Sequence, residues 1–139
     1  MVALIFMAHA VVRLVNGSAP QFGAFLEAHG YPWGFALVLT ISAYEILGGL
    51  LLALGIRVKI VCAGLAFIVV MGIVIIHRHL GWFVGEHGTG GMEFSMLLVA
   101  SLLVLAATDS ANRSQSRESS TMAGQGAATT AMLNPVPRR

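Results

Sequence analysis

The chain has 139 residues, of which 57% are hydrophobic and only 10% charged, less than half the charged share of an ordinary soluble domain. Its apolar residues come in long blocks rather than in stripes, which excludes a water-soluble globular domain and predicts an all-α protein solvated by lipid. The net charge of +2 does not point to nucleic acid, because four of the eight cations fall in the last 27 residues without interleaved aromatics. The single cysteine, Cys62, excludes an internal disulfide and a Cys-x-x-Cys redox pair.

The first apolar run, residues 1–15, holds no acid and only Arg13 among the bases. It is short against the roughly 20 residues that a spanning helix needs, so an upstream start or an incomplete span is expected. A cleaved leader competes with that reading through Ala8-His9-Ala10, but a basic start is missing and the apolar stretch before that motif is brief. From Asn16 to Pro32, Ser18 and Gln21 have capping-box spacing, Phe22, Phe25 and Leu26 share a helical face, and Gly30 is a stop. These signals predict a short amphipathic helix lying on the membrane surface or over the mouth of the bundle.

A second span is predicted over residues 33–54, with Pro32 and Trp33 at its interfacial start and only Glu45 interrupting it. Gly55-Ile56-Arg57-Val58-Lys59 reads as a tight basic turn into a third span, residues 60–76, which carries no charge. After a Gly-rich loop a fourth span covers residues 92–108, with Glu93 at its start. Residues 1–109 thus form an integral membrane four-helix bundle, and residues 110–139 a polar tail too poor in apolar side chains to fold. Arg57 and Lys59, with Arg113 and Arg117, put both termini on the cytoplasmic side by the positive-inside rule.

Glu45 is the acid to explain. About 11 residues at 1.5 Å separate it from either end of its helix, which puts it near the bilayer centre. An ionised carboxylate there costs roughly 2.5 to 3.5 kcal/mol by insertion scales, so it turns inward and finds a cation or stays protonated. A proton or ligand site and a structural carboxyl bonded between helices both fit. His9 and Arg13, four apart on one helix face, are the partners to consider. By depth His9 is favoured, at about 9 Å against a few ångströms for Arg13 and about 17 Å for Glu45, so Arg13 must extend inward to contribute.

His77, His79, Glu86, His87 and Glu93 invite a metal reading, yet their spacing gives no ligand set and no Glu-x-x-His pair occurs, so no metal is expected. Gly48, Gly49, Ala53, Ala63, Gly64 and Gly72 read as close helix packing, and four such helices can also dimerise. Gly88, Gly90 and Gly91 allow a sharp return into the last span and lack the context of a phosphate loop.

In order and spacing these residues resemble the DoxX family of small bacterial membrane proteins over roughly residues 6–109. The resemblance rests on Phe22-Gly23-Ala24-Phe25-Leu26 before Gly30-Tyr31-Pro32, then on Glu45-Ile46-Leu47-Gly48-Gly49 with Leu51-Leu52-Ala53-Leu54-Gly55 and Arg57. It continues through His79, Gly81-Trp82-Phe83 and Gly90-Gly91-Met92-Glu93-Phe94. It implies a four-helix inner-membrane protein with polar pattern residues Arg13, Glu45, His79 and Glu93, and a link to quinone, thiol or sulfur oxidation. A quinone would lie between the helices, with Glu45, His9 or Arg13 handling its protons or carbonyl and Trp82 and Phe83 near its mouth. With no dithiol or cofactor motif, electrons would come from a soluble or membrane redox partner. A non-catalytic scaffold recruiting a soluble enzyme is the alternative, and a small-solute carrier a third for which the spans offer little polar path.

Overall fold

The computed structural model describes residues 1–76, 81–83 and 91–133, with side chains through residue 123 and at residue 125. Among the described residues five helices follow one another: α1 (Val2–Val15), α2 (Ala19–Ala28), α3 (Gly34–Ala53), α4 (Val58–Ile75) and α5 (Glu93–Leu133). Three stretches among the described residues are long and apolar enough to cross a membrane, namely Gly34–Ala53, Val58–Ile75 and Glu93–Ala123. α1 and α2 meet that standard only as a pair, bent by 95°. The short first run is therefore one arm of a bent pair, and the amphipathic segment is the other arm.

α3 is the helix on which the others are arranged. Gly34, Val38, Ser42, Glu45, Gly48, Gly49 and Leu52 are buried, a stripe at three- and four-residue spacing that turns one face inward along its whole length. α1 lies antiparallel against it, for Ala3 and Met7 sit over Gly49 while Arg13 reaches Ser42. A methyl group on Gly49 would lie 2.6 Å from Met7 Cγ, so the glycine sets how near the two backbones come.

The start of α3 is fixed by α2. Gly30 ends the α2 segment with φ +87°, Trp33 turns the chain with φ +64°, and the Glu27 carboxylate accepts a 3.0 Å hydrogen bond from the Gly34 amide. That bond satisfies one of the amides a helix start leaves unpaired. A Cβ on Gly23 would lie 2.7 Å from Phe35 Cα, so α2 and α3 touch through bare backbone. The capping box read at Ser18 and Gln21 does not form. Ser18 precedes α2 in helical geometry, with ψ −6° instead of the extended value that aims a cap, and its hydroxyl donates backward to the Arg13 carbonyl at 3.2 Å.

Past the turn at Gly55 and Arg57, both at positive φ, α4 packs on α3 where the Tyr44 phenol rests against Gly64. Ala3, Phe6, Leu52, Val61, Cys62, Leu65 and Leu102 join α1, α3, α4 and α5 in one core. The outer faces are as apolar as that core: Leu4, Leu47, Ile60, Phe67, Leu97 and Leu103 are each more than 60% exposed. Side chains of this kind on the outside belong against acyl chains.

The chain divides into two compact units, Met1–Ala106 and Ala107–Arg139. Composition predicts disorder over residues 110–139, whereas the structure is helical as far as Leu133. Its support is local. Arg113 pairs with Asp109 at 2.9 Å, and Ser114, Ser119, Ser120 and Thr121 each bond the carbonyl four residues back. No proline interrupts the run before Pro135.

The glycine contacts set a testable contrast. Gly23→Ala forces α2 away from α3 and should cost about 1 to 3 kcal/mol by overpacking. Gly72→Ala, with nothing within 4 Å of its added carbon, should leave stability unchanged or slightly raised. Thermal unfolding of both variants in one detergent reads the difference, and equal midpoints would contradict the α2–α3 contact.

Candidate functional site

α1 carries Arg13 in its last turn, where the carbonyl end of the helix favours a cation. Arg13 Nη1 donates to Glu45 Oε2 and to Ser42 Oγ, both at 2.9 Å. Ser42 Oγ in turn donates a hydrogen bond to the Val38 carbonyl at 2.9 Å, so this hydroxyl accepts from the arginine and donates to its helix. The guanidinium carbon lies 5.6 Å from the centre of the Phe22 ring, within range of a cation–π contact. Arg13 and Glu45 side chains are only 11% and 5% exposed.

Local sequence explains the arrangement. Ser42 and Glu45 are three apart on the buried stripe of α3, so one arginine head reaches both. Phe22 comes from α2, which the 95° bend and the Gly23 contact hold beside the end of α1. α1 thus supplies the guanidinium, α3 its two hydrogen-bond acceptors and α2 the ring over which it lies.

The pair opens on a cavity of about 330 Å³ within the first unit. Phe6, Leu26, Ile41, Ile68 and Leu98 supply much of its apolar wall, and His9, Arg13, Glu45 and Ser95 are its polar members. A mostly apolar hollow with a few converging polar groups is the usual form of a small-ligand site.

Expected and observed positions differ in instructive ways. Depth counting favours His9 as the partner of Glu45, yet Arg13 makes the ion pair and His9 makes no hydrogen bond among the described residues. The reason is reach. The arginine stem extends inward from the helix end and carries its head to the carboxylate, whereas the imidazole is short and stands exposed on the cavity wall. Glu93 opens α5, with its amide bonded to the Trp82 carbonyl at 3.1 Å, and does not line the cavity. Trp82 and Phe83 are about half exposed and also stand off its wall, whose aromatic members include Phe22 and Phe94. His79 lies outside the described residues, as do His77, Glu86 and His87. Among the described residues no group of three His, Cys, Asp or Glu side chains gathers to hold a metal.

Sequence reasoning missed Ser42, Phe22 as an arginine contact, and Ser95. Ser42 had a signal, being one turn before the buried acid. Ser95 had none beyond its place near the start of the last apolar run.

The DoxX family model matches residues 1–78, more than half of the chain. That stretch holds α1 to α4 with Arg13, Ser42 and Glu45, and it ends before α5. No curated protein and no solved structure matches the chain.

Removal of one partner from a buried ion pair should cost more than removal of both. Arg13→Met leaves the Glu45 carboxylate without its cation and should lower stability by about 3 kcal/mol, and Arg13→Met with Glu45→Leu should recover most of it. A double-mutant cycle on unfolding in detergent measures the coupling. Additive losses would mean that the pair contributes no interaction of its own.

Proposed function

Because this chain belongs to the DoxX family of membrane proteins, we propose that it serves in the bilayer as a redox-linked accessory subunit with a quinone-binding cavity. The observation that carries this reading is the Arg13–Glu45 pair, buried beside a hollow lined mostly by hydrocarbon. Intramembrane ionisable groups are costly to insert, and their usual place is on a pathway or ligand site.

The residues fit a lipid-soluble ring with a polar edge. Arg13 makes its side-chain hydrogen bonds through Nη1, and among the described residues Nε and Nη2 make none, so donors remain for a ring carbonyl. Glu45 uses Oε2, which leaves Oε1 to accept a proton or a hydroxyl hydrogen. Ser42 and Phe22 hold the guanidinium in place, so the positive charge stays fixed while a proton moves at the carboxylate. When bound, a quinone supplies the two-electron acceptor chemistry that the side chains of this chain lack. Electrons reach it from a partner protein that oxidises a thiol or sulfur compound.

A scaffold role is supported by a different feature, the polar helix after Ala107, whose described side chains are almost all exposed. The two readings separate on variants. A scaffold keeps its function in Glu45→Gln and loses it on deletion of residues 110–139 or of the segment from Asn16 to Gly30.

The bacterial inner membrane with both termini cytoplasmic is our assigned setting, supported by Arg57 and Lys59 in the α3–α4 turn. Reporter fusions at that turn and at the C-terminus should both report the cytoplasm, and a periplasmic signal from either overturns the assignment.

The quinone reading is tested on the purified full chain. Organic extraction should release quinone above the level of empty micelles, and a decyl-tailed dimethoxy benzoquinone should bind Glu45→Gln roughly tenfold more weakly, the effect of one charged hydrogen bond. No quinone above the micelle background, with equal binding to both proteins, ends this reading.

A further inference from the structure

Among the described residues, several serine and threonine hydroxyls in the apolar helices share one habit. Thr40, Ser42 and Ser101 each donate to the carbonyl four residues back, at 2.8 to 2.9 Å. Ser95 does not. It is only 7% exposed, and among the described residues its side chain makes no hydrogen bond. The cause lies in its position, because α5 begins at Glu93 and the residue four back, Gly91, precedes the helix. Its hydroxyl has no helical carbonyl to return to.

A buried hydroxyl without a partner is costly, and native proteins seldom leave one in that state. Ser95 lines the cavity that Arg13 and Glu45 line, and it does so from α5, whereas that pair comes from α1 and α3. The hollow therefore carries polar groups on three helices, with hydrocarbon making up most of the wall around them.

We propose that Ser95 is a ligand-positioning residue, whose hydroxyl bonds a second oxygen of a ring already held by Arg13 and Glu45. The site on this account selects a lipid-soluble ring with two oxygen functions over a ring with one. The inference rests on the quinone reading above and names the group that confers its selectivity. Ser95 acts by orientation and takes no part in moving electrons.

The experiment compares two probes on the purified full chain in detergent: a decyl-tailed dimethoxy benzoquinone and decylphenol, which has one oxygen. Ser95→Ala should weaken the benzoquinone about three- to tenfold, the range of one neutral hydrogen bond, and change decylphenol less than twofold. Ser95→Thr, which keeps the hydroxyl, should restore the selectivity. With carbonyl-labelled benzoquinone, infrared difference spectra should show both carbonyl stretches lowered in the native protein and one returned to its free position in Ser95→Ala. Equal weakening of both probes, or unshifted spectra, overturns the positioning role while leaving the quinone site intact. If the native protein binds neither probe above empty micelles, the quinone reading falls and this inference falls with it.

Discussion

A guanidinium and a carboxylate facing each other in hydrocarbon interact strongly because little water screens them, and either one alone would be expensive to keep there. The Arg13–Glu45 contact therefore acts as a constraint as much as an attraction. It ties the end of α1 to the middle of α3 and requires every nearby element to respect that contact. Ser42 fills the remaining space beside the guanidinium as an acceptor, and Phe22 covers its face. An apolar core alone cannot fix register so firmly, since in lipid one hydrocarbon contact is much like another.

Close backbone approach makes the contact reachable. Gly49 lets α1 settle onto α3, and Gly23 against Gly34 and Phe35 brings α2 near enough for Phe22 to meet the arginine. The Glu27 carboxylate at the Gly34 amide holds the same junction from the polar side. The charged pair and the glycine contacts are thus two parts of one arrangement. The cavity is the space left between this N-terminal assembly and the wall supplied by α4 and α5, whose members include Ile68, Val69, Ser95 and Leu98.

Much of this can be read from residue order. Helices α3 and α4 begin and end within two residues of the stretches that hydropathy marks, because long apolar runs bounded by Pro32-Trp33 and Gly55 leave little choice. Glu45 stands out for the same reason, being the one charge in its run. Its partner is less legible. Counting residues gives the depth of a backbone, not the place of a charge on a long stem, so depth by itself ranks His9 ahead of Arg13. The bend after Val15 hides in the same way, since the length shortfall is visible but the 95° angle is set by tertiary contact with α3. The helical tail shows the reverse case: composition describes what cannot form a core, and a single helix needs no core to satisfy its own backbone. Ser95 is silent in the sequence because its distinction is a missing bond.

The length of α1 bears on the lipid around it. Fourteen residues rise about 21 Å, some 9 Å less than a hydrocarbon layer about 30 Å thick, and the chain then swings sideways into α2. On that flank the protein offers less apolar height than on the side of α3 and α4, so the leaflet there must thin to meet it. Headgroups and water are drawn down toward the end of α1, which is the end that bears Arg13. A shallow dimple in the bilayer would thus give the buried carboxylate its shortest route to an aqueous proton, on one side of the membrane only.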